Sequence, residues 1–189
     1  MKDHPGIPDF EEYLDCQIHP SDLWNTKTGR RVLTCVYEDY LFELADWQVF
    51  ITLTFREETY LETAKKRFYK LVRVLNEDAF GKRYRRFVKH SYFSYVLATE
   101  YQLRDVIHFH FLADRPLNFQ LIHDWWQEKA GFAHTDIIKN REKAVYYVVK
   151  YVVKGGEPEF YERESDRLPH VMPSWWKEPE YDDMGKRAA

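Results

Sequence analysis

His108, Phe109 and His110 form the short pattern in this chain best suited to chemistry. On a β-strand, side chains alternate between faces with a period of two, so the two histidines share one face. Phe109 and Phe111 then point the other way, into a core. Two neighbouring imidazoles can chelate one cation, and a carboxylate is the natural third ligand. Glu100 lies just before the connection into this strand. Directly opposed residues of an antiparallel pair share a face. A connection of odd length therefore sets Glu100 opposite His108, and an even one turns it away unless a bulge intervenes. Two imidazoles and one carboxylate leave coordination positions open, as a catalytic ion requires. Imidazole favours Mn²⁺ or Zn²⁺, whereas a carboxylate acting with a phosphate also admits Mg²⁺. A half-buried pair of hydrogen-bonding histidines would carry the same mark in sequence. His123 and His134 lack such company and read as surface or capping residues, with a supporting role open to His134.

A second group lies in Glu142–Lys154. If that segment is helical, Tyr147 and Tyr151 stand one turn apart on one face, each followed three residues later by a lysine, Lys150 and Lys154. A phenol is a poor nucleophile at its ordinary pKa of about 10. A nearby cation favours the phenolate, and a cation on a phosphodiester makes the phosphorus a better target. Attack would leave a phosphotyrosine on one end of the cut strand and a free hydroxyl on the other, retaining the bond energy for rejoining. The plain alternative is a helix that packs its tyrosines on a sheet while its lysines reach into water. Tyr146 points about 100° from Tyr147 on a helix and reads as the packing residue.

A third group, Lys82, Arg83, Arg85, Arg86 and Lys89, interleaves cations with aromatic residues. Such a run can neutralise phosphates while its rings stack on unpaired bases. A solvated helix end or loop has the same composition. The net charge of −3 hides a pattern, with acidic flanks at 1–49 and 157–183 around a region, 56–90, rich in Lys and Arg.

The elements that must position these groups follow from periodicity. Trp47–Phe55 reads as a buried strand. Leu61, Ala64, Phe68, Leu71, Val72 and Leu75 mark one face of a helix closed by Gly81. Tyr92–Glu100 and Val106–Ala113 read as an antiparallel hairpin joined by Gln102–Asp105. Asn118 is set to cap a helix through Trp126 that Gly131 ends. His134–Ile138 reads as a short strand, and Asn140 caps a helix stopped by Gly155 and Gly156. The many β-branched residues of that last segment also suit a strand, but spacing, cap signals and length favour the helix. These patterns give four strands in an α+β fold, an antiparallel sheet covered by helices of the split βαβ type. Residues 1–46 read as an irregular, partly helical arm, 47–155 as the working domain, and 156–189 as an acidic appendage rich in Pro and Trp.

At 189 residues, with 44% apolar and 17% aromatic, the chain has the material for one packed domain. No run approaches the roughly 20 apolar residues of a membrane span, and no signal peptide begins it, so a cytoplasmic protein without a membrane partner is expected. Cys16 and Cys35 form no CxxC pattern and read as ordinary buried thiols.

Together these motifs resemble the HUH endonuclease superfamily, in particular the replication initiators of rolling-circle phages and plasmids. Phe50–Phe55 looks like the first motif of that family. His108-Phe109-His110 with Glu100 resembles its metal motif, and the two YxxK units of 147–154 are similar to the tyrosine motif of its two-tyrosine branch. The resemblance covers roughly 47–155 and implies a five-stranded antiparallel sheet. By it, His108, His110 and Glu100 hold Mg²⁺ or Mn²⁺ against the scissile phosphate. Tyr147 is the first nucleophile and Tyr151 the second, Lys150 positions the phosphate or metal assembly, and Lys154 can share that role. The implied partners are single-stranded DNA or an origin hairpin, with a separate host helicase and polymerase. No chemistry is assigned to Thr52 and Thr54. Two departures stand out: the N-terminal region lacks the cysteine clusters of phage relatives, and no GxxxxGK[ST] loop follows residue 155. Both tyrosines sit in YxxK settings, so a single nucleophile with Tyr151 as its packing neighbour is also open. A transposase or relaxase of the same superfamily, a zinc hydrolase and a non-catalytic nucleic-acid-binding module are the competing readings.

Overall fold

Val49–Phe55 (β1) alternates strictly between buried and half-buried residues, the mark of a strand with two differently covered faces. In this computed structural model, which describes residues 25–86, 88, 90–101, 106–154 and 158–161, β1 lies inside an antiparallel five-stranded sheet. The remaining strands are Tyr95–Tyr101 (β2), Ile107–Ala113 (β3), Gly131–Ile137 (β4) and Glu159–Tyr161 (β5), in the spatial order β4-β1-β3-β2-β5. The helices are Lys27–Leu44 (α1), Leu61–Phe80 (α2), Phe119–Lys129 (α3) and Arg141–Val153 (α4). From β1 to β4 the order strand, helix, two strands, helix, strand is the split βαβ arrangement expected.

The odd-numbered residues of β1 and β3 face α2 and α3. Ile51, Leu53, Phe109 and Phe111 bury there against Phe68, Leu71 and Trp126. The opposite face is graded along the strands. At one end Val96 and Leu112 bury beneath Val145, Val148, Val149 and Val152 of α4, joined by Leu41 of α1 and by Trp47. Toward the other end the same face carries Ala98 and His110, then Glu100 and His108. Helix α4 thus covers the apolar end and stops where the polar residues begin.

The cap residues act as their types require. Asn118 accepts a hydrogen bond from the Leu121 amide at 3.0 Å, and Asn140 from the Lys143 amide at 2.9 Å. Gly81 ends α2 with φ +76°, a conformation that favours glycine. Gly131 differs from expectation: α3 ends at Lys129 with Ala130 as its cap, and Gly131 opens β4. A Cβ there would meet the Thr54 carbonyl oxygen at 2.1 Å and the Arg56 amide nitrogen at 2.7 Å.

Three further expectations need correction. The segment Lys27–Leu44, read as part of an irregular arm, is one helix, capped by Thr26 and packed on α4. Leu33, Tyr37, Leu41 and Leu44 do recur at three- and four-residue intervals. The fifth strand, which the pattern alone did not give, lies in Glu159–Tyr161 of the segment read as an appendage. Cys35 is half-buried rather than buried, with its thiol free. Cys16, the Gln102–Asp105 connection, the glycines at 155 and 156 and residues 162–189 lie outside the described residues. Among the described residues no helix is long and apolar enough to cross a membrane.

Because the Gly131 backbone touches the strand that carries Thr54, Gly131→Ala should cost about 2–3 kcal/mol by overpacking against backbone that cannot yield. Chemical denaturation measures the loss, and an unchanged midpoint would contradict the contact.

Candidate active site

The β-sheet register builds the site. Thr54 of β1 stands opposite His108 of β3, which stands opposite Glu100 of β2. One row deeper, Thr52 opposes His110, which opposes Ala98. The connection therefore has the parity that brings Glu100 onto the histidine face. Its carboxylate reaches diagonally, and Nε2 of His110 lies 3.1 Å from Oε2 of Glu100. Long side chains span such diagonal neighbours without backbone distortion.

Each histidine is also held from the β1 side. Nδ1 of His110 lies 3.1 Å from Oγ1 of Thr52, and Nδ1 of His108 lies 3.2 Å from Oγ1 of Thr54. Both rings thereby turn Nδ1 toward β1 and Nε2 away from it. A hydroxyl can donate or accept, so the same pairs serve either neutral tautomer. With Nε2–H of His110 donating to Glu100, Thr52 donates to Nδ1. Burial holds both imidazoles below the usual histidine range, with Glu100 pulling each back upward. For His110 the charges of His108 and Lys150 add to the lowering. Neutral imidazole is the form that ligates. Thr52 and Thr54 were assigned no chemistry from sequence. Their parity on β1 was the available signal, since both must share the face opposite Ile51 and Leu53.

Helix α4 lays its tyrosines on this face. The Tyr151 ring stacks on His110 with centroids 4.0 Å apart at 15°, and Phe50 stacks on the same imidazole at 6.1 Å. Tyr147 meets His110 edge-on at 5.7 Å and Phe50 at 5.3 Å. The Tyr151 hydroxyl donates to the Tyr147 hydroxyl at 2.8 Å. The two are unequal in access, because Tyr147 is 39% exposed and Tyr151 only 6%. Burial pushes the Tyr151 phenol well above its ordinary range, reinforced by its bond to Tyr147 and the charge of Glu100. Lys150 Nζ sits 5.7 Å and 5.4 Å from the two ring centroids, and Lys154 Nζ lies 5.5 Å from that of Tyr151. Tyr146, expected to pack, is instead 59% exposed. At the start of α4, Arg141 donates to the carbonyls of Phe42 and Ala45 at 2.6 and 2.5 Å, tying the helix to the end of α1.

Other candidates lie apart. Lys82, Arg83, Arg85 and Arg86 are exposed just beyond Gly81, or nearly so, and Lys89 is outside the described residues. Helix α2 starts near the histidine end of β1 and its 20 residues carry the chain about 30 Å away. The basic cluster is therefore at the far end of the molecule from His108. His123 bonds to Thr135 at 3.0 Å, and exposed His134 to Asp136 at 2.8 Å. Among the described residues, no group of three or more His, Cys, Asp or Glu side chains could hold a metal ion as it stands. The Glu100 carboxylate is engaged by His110 instead.

A sheet of this order, with paired histidines on β3 and tyrosines on the last helix, defines a class of α+β protein built for chemistry on one open sheet face. Residues 48–156, more than half of the chain, match the family model of the replication-associated protein ORF2. The chain belongs to this family of rolling-circle replication initiators, a role that entails DNA binding and, in general, endonuclease activity. No curated protein and no solved structure matches it.

Thr52→Val keeps the shape of the side chain but leaves a buried imidazole nitrogen without its partner. It should cost about 1–2 kcal/mol of stability, whereas Thr52→Ser should cost less. Equal losses in the two variants by chemical denaturation would show that the hydroxyl is immaterial.

Proposed function

We propose that this initiator nicks and rejoins single-stranded DNA at an origin, with Tyr147 attacking the scissile phosphodiester. The observation that carries the reading is the placement of an accessible phenol beside the face that bears His110, His108 and Glu100. The Tyr147 oxygen bonds to phosphorus as the bond from phosphorus to the 3′ oxygen breaks. The products are a 5′-phosphotyrosine and a free 3′ hydroxyl, and the phenolic proton is in net terms passed to that departing oxygen. Rejoining reverses the step, with a 3′ hydroxyl displacing Tyr147.

His108, His110 and Glu100 would hold Mg²⁺ or Mn²⁺. The donor set fits: two imidazoles kept neutral by burial, and one carboxylate on the same face whose hydrogen bond to His110 would yield to the ion. When bound, such an ion draws charge from the phosphate and steadies it for in-line attack. Thr52 and Thr54 keep Nε2 of each ring aimed at that position, the task that outer hydrogen bonds perform for metal-ligating histidines. Lys150, beside both rings, would counter the phosphate charge, with Lys154 behind it.

Tyr151 supports Tyr147 in this arrangement rather than sharing the attack. Its donated hydrogen bond steadies the Tyr147 oxygen, and its ring fixes His110 from below. Alternating attack by both tyrosines would require Tyr151 to leave its buried position. Strand separation and synthesis would fall to a separate host helicase and polymerase.

The test is to incubate the protein with labelled single-stranded DNA bearing an origin hairpin and Mn²⁺, then look for an adduct that survives denaturation. The adduct should map to Tyr147 and vanish in Tyr147→Phe, His108→Ala and His110→Ala. Tyr151→Phe should retain it with the rate lowered about 2- to 10-fold, the worth of one hydrogen bond. An adduct mapped to Tyr151 would reverse the assignment of roles. A metal hydrolase would release both DNA ends free, and a binding module would leave the strand whole. No adduct with any divalent cation would overturn the nucleophile.

A further inference from the structure

Just past the catalytic row, at the rim of the sheet, two aromatic residues stand in solvent. Tyr101 follows Glu100 and is 55% exposed, and Tyr60, before α2, is 87% exposed. Both line one cavity of about 510 Å³, together with Glu58, Thr59 and Leu61. Through Glu58, Thr59 and Tyr60 this cavity continues into a second of about 280 Å³, whose walls include Arg56, Arg67 and Lys129. The result is one groove, aromatic at the β2 end and cationic at the β1 end. It runs around the rim one residue beyond Glu100 and two beyond Thr54.

We infer that this groove, resting on the reading of the site given above, binds the unpaired strand next to the scissile phosphate. A base would lie against Tyr60 and Tyr101, and backbone phosphates would meet Arg56, Arg67 and Lys129. Three observations point to single-stranded DNA as the occupant. Exposed rings beside a cationic wall are what sequence-tolerant strand binding uses, since every base has a stackable face. The groove adjoins the row that holds the reacting phosphate, so the same strand reaches both. The carboxylates, Glu57 and Glu58, lie between the two parts and disfavour a phosphate in the aromatic half, which orients the strand with its bases there. A duplex cannot offer a base face to these rings without being opened. The far cluster of Lys82, Arg83, Arg85 and Arg86 would then contribute general attraction and not local placement.

The experiment is fluorescence anisotropy in EDTA with a labelled mixed-sequence single strand, alongside adduct formation in Mn²⁺ on the hairpin substrate. Tyr60→Ala and Tyr101→Ala should each weaken single-strand binding about 5- to 100-fold. Tyr60→Phe and Tyr60→Trp should restore it, and duplex binding should not change. Both residues are largely in solvent, so the variants should fold as the parent does, which circular dichroism checks. Unchanged single-strand affinity in the double alanine variant overturns the groove. So does a loss confined to the variant lacking Lys82, Arg83, Arg85 and Arg86. If the parent forms no adduct yet the tyrosine variants lose binding, the groove stands and the nucleophile reading falls.

Discussion

Everything at this site depends on the pairing of β2 with β3 in the register that sets Glu100 opposite His108. A slip of one residue would turn every side chain of β2 to the other face, removing the carboxylate and exposing Leu97 and Tyr95 in its place. The register is held by the core, because Tyr95, Leu97, Phe109 and Phe111 bury on the opposite face. The packing of the apolar side thus fixes the chemistry of the polar one. The same logic acts across β1, where Ile51 and Leu53 must be inside for Thr52 and Thr54 to meet the histidines.

On the reactive face, stability and function are separated by distance along the strands. Val96 and Leu112 give α4 an apolar seat, and the seat ends at Ala98, whose small side chain leaves room beside the His110 ring. Tyr151 lies at that boundary, half core residue and half site residue. This explains why two tyrosines one turn apart have such different surroundings. The inner one is fixed by packing and the outer one is left to solvent.

Much of this was legible in the residues. Period-two alternation gave β1 and β3, the asparagines marked the starts of α3 and α4, and the His108 and Glu100 pattern gave the shared face subject only to parity. Helix α1 was legible too, through Leu33, Tyr37, Leu41 and Leu44, but charges between these residues obscure the stripe. A three-residue strand such as Glu159–Tyr161 has no periodicity to read. It pairs because β2 offers an open edge, and Tyr69 and Lys65 of α2 engage Glu159. Which of Tyr147 and Tyr151 lies deeper depends on how far α4 slides along the sheet, a tertiary quantity that local spacing does not contain. The location of the basic cluster likewise follows from the length and direction of α2.

Helix α4 lies in the chain between β4 and β5, the two outermost strands of the sheet. Five strands set about 4.8 Å apart make a sheet about 19 Å wide, and 13 helical residues extend about 20 Å. The helix is therefore cut to the breadth of the sheet and fastened at both borders, with Arg141 adding a tie to α1. A strand joined to Tyr147 would pull on the middle of a strap, and the load would divide between two opposite edges. Tension on the nucleic acid would be spread through the β-sheet hydrogen bonds, not concentrated on one loop. In mechanical terms the attachment point is a bridge with two abutments.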